Sequence, residues 1–280
     1  MIVLHISRSW NPPHRGLGDQ FYNRHSAGKG PLSVEQLRRV FTQSADNLER
    51  IRRFVRERVF LIHGGDGSIS LSSDTAKMVL HVLPLVSFDS TLVVPIGHQL
   101  LATMNEMIPF GNHIIGSWDK GYNADGLIWK TNNTINGSYT QLFRNGIVEC
   151  ASNRIASVEK QFGATYVEQA VCFSLACIFS ELRNINIISP VVISLSLVGI
   201  KGYSISKPRG DYGSNQNFSQ DSLFLPEVTL EEFTSLLAED KNESHKLIAP
   251  RLKEIFNALW QASGYSGSPN FNGDDWNPRD

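Results

Sequence analysis

The run His63-Gly64-Gly65-Asp66-Gly67 constrains this chain more than any other feature. Glycines packed this closely end a helix, because each has backbone freedom that ordered structure must give up. Before the run, apolar residues recur at helical spacing. Val34, Leu37, Val40 and Phe41 form one stripe, and Leu48, Ile51, Phe54 and Val55 another. Ser33 and Gln36 make a capping box ahead of the first, and Asp46 and Glu49 a start signal for the second, so two helices are expected. After the run the pattern changes to short strands, which places a domain boundary near 64–74.

Strands are expected at Met78–Val86, Leu127–Thr131, Tyr139–Arg144 and Pro190–Ile200, with a further one at Ile2–Ser7. Asn145-Gly146 between Gln141–Arg144 and Ile147–Cys150 is a strong hairpin signal, since a type I′ turn needs positive φ at both central positions. Helices are expected at Gly97–Met107, at Thr165–Leu182, after Thr229 with Glu232 as its cap, and from Ser244 to Leu259. The stretches Arg8–Pro31 and Gly202–Pro226 read as long loops, and Gly264–Asp280 as a frayed tail. The fold class is therefore α+β: a basic helical N-terminal section (1–63), then a mixed-sheet domain with flanking helices (64–263), then a disordered tail (264–280).

Net charge over all 280 residues is −1, but residues 1–60 carry eleven Lys and Arg against five Asp and Glu, and ten of the eleven are Arg. Arg grips a phosphate with two parallel hydrogen bonds, so a basic N-terminal section on an acidic body points to a polyanionic partner. Solvation of helix faces is the competing account. Three cysteines, Cys150, Cys172 and Cys177, do not make a disulfide framework, and a reducing, cytoplasmic setting is expected. The apolar stretches 170–179 and 187–200 are too short or interrupted to span a bilayer, so no membrane partner is expected.

The eight histidines show no metal-ligand spacing, and no metal or cofactor is expected. The glycine run lacks the Gly-Lys-Ser/Thr ending of a P-loop and follows a helix, so it reads as a turn. Asp119, Asp125 and Glu149 are expected to be isolated surface acids. Arg50, Arg53 and Arg56 share a helical face, and Glu49 pairs with Arg53 at i,i+4, which reads as a solvated face.

The most informative segment follows the first strand. It contains Arg8-Ser9-Trp10-Asn11-Pro12-Pro13-His14-Arg15, then Phe21-Tyr22-Asn23-Arg24, then Gly28-Lys29-Gly30-Pro31-Leu32. Leu37-Arg38-Arg39-Val40-Phe41, Glu49–Arg58, Leu80–Leu85 and Gln141–Gly146 come next in order. This succession resembles the closing part of a bacterial Schlafen/AlbA-like domain and the region beyond it. The resemblance implies DNA binding in a regulatory or defence role. The family's acidic motif and glycine-rich strand do not precede Met1, so the molecule is expected to lack the catalytic portion and to have no nuclease or ATPase activity. The expected nucleic-acid contacts are Arg8, Trp10, His14, Arg15, Phe21, Tyr22, Arg24 and Lys29: cations for phosphates, aromatics for stacking on bases. The same groups can instead anchor the loop to the body. In that case the protein is an interaction or ligand-sensing domain without nucleic-acid contact.

Overall fold

The structure is a computed structural model that describes residues 15–278, apart from residues 17, 19, 26–27, 73, 89–91, 112–116, 133–136, 156–158, 189 and 207–215. The strand expected at Ile2–Ser7 lies outside the described residues. The chain divides into two compact units, Met1–Phe54 and Val55–Asp280. The division falls inside a helix, ahead of the glycine run that the sequence marked as the boundary.

In the first unit, the stretch read as a loop contains a hairpin, β1 (Tyr22–His25) and β2 (Gly28–Pro31), paired Tyr22 to Pro31 and His25 to Gly28. The capping box forms as expected. The Ser33 amide donates to Gln36 Oε1 at 2.9 Å, and the Gln36 amide to Ser33 Oγ at 3.2 Å. It opens α1 (Val34–Gly64), which is one helix of 31 residues rather than two. Asp46 and Glu49 therefore lie inside it. Neither carries the backbone geometry that would break a helix, so the second start signal is overridden. The glycine run then closes α1 in a Schellman motif. The Asp66 amide donates to Leu61 O at 2.8 Å and the Gly65 amide to Ile62 O at 3.3 Å, with Gly65 at φ +92°.

The second unit is built on one large antiparallel sheet, ordered β11 (Ser222–Phe224), β9 (Val191–Val198), β3 (Lys77–Pro84), β7 (Val148–Ser152), β6 (Ser138–Phe143), β5 (Gly126–Thr131), β4 (Trp118–Tyr122). β12 (Val228–Leu230) pairs beside β11 along the same edge of β9. The fold is α+β, and among the described residues parallel pairing is confined to the two-residue strands β8 (Gln161–Phe162) and β10 (Ser204–Ile205). The hairpin forms between β6 and β7, but not through the expected type I′ turn: Asn145 is not at positive φ, Gly146 alone is at φ +85°, and Arg144–Gly146 make a three-residue loop closed by the Phe143 amide donating to Ile147 O at 2.8 Å.

Alternation divides the sheet into two faces. Met78, Leu80 and Val82 of β3 and Ile193, Leu195 and Leu197 of β9 join the main core with α3 (Ala164–Asn184). Lys77, Val79 and His81, with Ser194 and Ser196, occupy the other face, and they too are buried. α3 is apolar nearly all round because it also packs against α4 (Lys241–Ile248) and α5 (Lys253–Gln261). α2 (His98–Thr103) is shorter than its sequence pattern suggested.

Three further expectations change. Thr229 lies in β12, and Glu232 caps a 3₁₀ turn, Thr234–Leu236, by accepting from the Thr234 amide and hydroxyl and the Ser235 amide. The helix expected from Ser244 is split into α4 and α5 by a 3₁₀ turn holding Pro250, which cannot donate within a helix. The tail expected to be disordered is ordered through Pro278. It forms a hairpin of β13 (Phe271–Asn272) and β14 (Asp275–Trp276), for a reason found at Glu168.

Candidate functional site

Of the eight residues expected to contact nucleic acid, Arg8, Trp10 and His14 lie outside the described residues, and Arg24 is described only by its backbone in β1. Arg15 is exposed and bridges to Phe21 at the base of the hairpin. The Lys29 ammonium sits 3.7 Å from the centroid of the half-buried Tyr22 ring. Gly16 crowds the same ring, since a Cβ there would lie 2.9 Å from it. The hairpin thus gathers Arg15, Phe21, Tyr22 and Lys29, but it uses Tyr22 partly as its own anchor.

A second basic group lies on α1. At about 100° per residue, Ile51, Val55, Val59 and Ile62 fall within roughly 80° and form the buried stripe. Arg50, Arg52, Arg53 and Arg56 are all exposed and fall within roughly 160° on the other side. Phe60 lies inside that arc and is 76% exposed. Glu49 and Glu57 are the acids among them.

Arg58 falls at the margin of the buried stripe and turns inward. Its guanidinium forks onto the Glu149 carboxylate, with Nε to Oε2 at 2.6 Å and Nη2 to Oε1 at 2.7 Å. Glu149 stands directly opposite His81 in the β3–β7 ladder, and His81 Nε2 is 3.1 Å from Oε2. Tyr139 donates its hydroxyl to Oε1 at 2.8 Å. Gly67 gives that hydroxyl room, since a Cβ would come within 3.0 Å of it. Glu149 is therefore not the surface acid its sequence context suggested. Its side chain is fully buried, while that of Arg58 keeps 16% exposure. Burial pushes the Glu149 carboxyl up. The bonds from Arg58 and His81 outweigh that and hold it at about 2, so it stays ionised. Burial, with the carboxylate added, pushes the Tyr139 phenol well above its ordinary value. Chemically this is a water-excluded ion pair with a locked phenol. It fixes the turn of α1 that carries Arg58 to the sheet. Asp119 and Asp125, which the sequence grouped with Glu149, are exposed, and of the two Asp125 adds a weak electrostatic pull on the Arg58 guanidinium.

Sequence reasoning also missed Glu168 on α3. Its fully buried carboxylate accepts from Trp260 Nε1 at 2.8 Å and Ser268 Oγ at 2.6 Å on one oxygen. On the other it accepts from Asn270 Nδ2 at 3.0 Å and Trp276 Nε1 at 2.8 Å. Three of the four donors belong to the C-terminal segment, which is why that segment is ordered. The available signal was an acid inside an otherwise apolar helix, since a buried carboxylate demands partners.

A groove of about 790 Å³ beside β12 is lined by Glu227, Glu231, Glu232 and Glu254 with Arg251 and Lys253. Glu232 is committed to its 3₁₀ turn, and Lys253 to Gly273 O and Asp274. The three buried cysteines form no disulfide, and burial pushes the Cys150 thiol up to about 12, which keeps it unreactive. Among the described residues, no group of three or more His, Cys, Asp or Glu is placed to hold a metal ion, and no helix is long and apolar enough to cross a membrane. Comparison with family models, with curated proteins and with solved structures finds no match to this sequence or fold.

Proposed function

We propose that this protein binds nucleic acid in the cytoplasm of a bacterial cell, in a regulatory or defence role, with the exposed arginine face of α1 as its principal contact surface. The observation that carries the reading is that Arg50, Arg52, Arg53 and Arg56 share one exposed arc. Four planar cations at this spacing suit a row of phosphates, and Phe60 within the arc suits a base that has left its stack. The hairpin cations Arg15 and Lys29 add charge of the same sign. The likeness to the closing part of a Schlafen/AlbA-like domain belongs to the same proposal.

Fluorescence anisotropy with labelled single-stranded and duplex oligonucleotides, read at several salt concentrations, tests it. Log affinity falls linearly with log salt, and Arg53→Ala lowers that slope by about 0.7–0.9, one phosphate contact. Phe60→Ala weakens single-stranded binding more than duplex binding, by about 1–3 kcal/mol if one base stacks on it. No binding at about 50 mM salt, where electrostatic contacts are strong, would sink the proposal. The arginine face with its exposed Phe60 would then be read as a surface for an acidic protein partner.

A further inference from the structure

Two Asn-Gly pairs fall in described turns, Asn145-Gly146 and Asn272-Gly273, and their surroundings are opposite. Asn-Gly is chemically labile because the glycine amide nitrogen, unhindered by any substituent on its α-carbon, can attack the asparagine carboxamide carbon, Cγ. The fold decides whether that attack is open.

At Asn145 it is closed. The Gly146 amide donates to Phe143 O at 2.9 Å, and Asn145 Oδ1 accepts from the Ile147 amide at 3.3 Å. Gly146 is buried, and a Cβ on it would lie 2.8 Å from the Ile187 side chain. Nucleophile and electrophile are both tied down in a crowded turn.

At Asn272 it is open. Asn272 and Gly273 are exposed at the tip of the β13–β14 hairpin, and nothing lies within 4 Å of the position a Cβ would take at Gly273. Among the described residues the Gly273 amide donates to no backbone carbonyl. The Gly273 carbonyl is instead the group held, by Lys253 Nζ at 2.5 Å.

We infer that Asn272 is a site of spontaneous deamidation, and that its conversion loosens the C-terminal segment 264–278 from Glu168. The chemistry needs only water. The Gly273 nitrogen gives up its proton and bonds to Asn272 Cγ. The Cγ–Nδ2 bond breaks and ammonia leaves, giving a five-membered cyclic imide. Water then adds to either imide carbonyl and breaks one C–N bond, giving aspartate or isoaspartate. Both products place a new carboxylate at 272, directly opposite Asp275 in the hairpin register. Like charges facing across a strand pair oppose pairing, and isoaspartate also inserts an extra backbone carbon that shifts the register. The adjoining Trp276 is one of the four donors that hold Glu168. Loss of hairpin pairing therefore reaches the buried carboxylate.

The test is to age the full-length protein at mildly alkaline pH, with peptide mapping by mass and an isoaspartate assay. Hydrogen exchange over 268–277 is followed in parallel. Product at 272 should build up at least about tenfold faster than at 145, a barrier difference of about 1.4 kcal/mol. Exchange over 268–277 should speed up as product accumulates. Freshly made Asn272→Gln, whose extra methylene makes ring closure far slower, should match fresh wild type in exchange and stay unchanged on ageing. Equal or faster conversion at 145 would overturn the inference. So would an unconverted Asn272 under conditions in which a free peptide of the same sequence converts. Conversion at 272 that leaves exchange over 268–277 unchanged would overturn the loosening.

Discussion

Glu149 and Arg58 form a pair in which each member makes the other tolerable. A carboxylate with no exposed surface carries a large desolvation cost, which the two guanidinium bonds offset. Arg58→Ala leaves that carboxylate buried without its main cation and should cost about 3–5 kcal/mol, read by urea denaturation at neutral pH. Arg58→Leu combined with Glu149→Gln should recover much of the loss, since no buried charge remains. The pH dependence separates the two states. Glu149 is held at about 2 in the folded state against an ordinary 4.5, so its contribution is complete above about 4.5 and is lost as pH falls toward 2. In Arg58→Ala burial acts with less opposition and the carboxyl rises. Over the acid range the variant should then lose less stability than wild type, and the gap between them should narrow. A constant gap from pH 7 to pH 3 would show that Arg58 acts through packing alone. None of this was legible at Glu149 itself. Its partner lies 91 residues earlier on a helix, and local periodicity does not say which strand that helix will cover.

Elements with local causes were the most legible. The Ser33–Gln36 capping box and the hairpin at Asn145-Gly146 are decided by residues within a few positions, and both form where read, although the hairpin turns through three residues with only Gly146 at positive φ instead of through a type I′ pair. Elements decided by distant partners were not. β12 is three residues long and exists because β9 offers an edge, so Thr229 and Glu232 looked like a helix start instead. The C-terminal segment is the strongest case. Its Gly, Ser, Asn and Asp residues have the composition of a frayed tail, yet Ser268, Asn270 and Trp276 converge on one carboxylate of α3. Glu168→Ala removes the shared acceptor and leaves four donors to find others, at about 1–3 kcal/mol for each that stays buried and unpaired. The expected result is a loss of at least about 2 kcal/mol. It should come with fast hydrogen exchange over 268–277 and little change in the β3–β9 ladder, because the segment can detach while the sheet stays paired. Uniform acceleration of exchange through the sheet would instead make Glu168 part of the global core.

At the scale of the whole molecule, charge and compactness divide the protein at nearly the same place. Residues 1–60 carry net +6 and the remaining 220 carry −7, while the compact units meet at Phe54 and Val55. That asymmetry was legible in composition, and so was the α+β class. What composition did not reveal is that basic residues of two kinds are mixed within one helix: Arg50, Arg52, Arg53 and Arg56 face water, whereas Arg58 holds the sheet. A fragment of residues 47–280 separates these roles. It retains Ile51, Val55, Val59 and Ile62, the Arg58–Glu149 pair and the whole large sheet, so it should unfold in one cooperative transition within a few degrees of the full-length protein. It also retains the four exposed arginines and Phe60 but lacks Arg15, Tyr22 and Lys29. If α1 is the principal contact surface, the fragment keeps most of its affinity for single-stranded nucleic acid. Its salt slope should fall only by the few contacts the hairpin makes, at about 0.7 per phosphate on a single strand. If the aromatic and basic residues of 8–29 dominate, the folded fragment loses binding almost completely, and the arginine face of α1 reverts to a solvated surface. Because the fragment's folding is measured on the same sample, loss of binding cannot be confused with loss of structure.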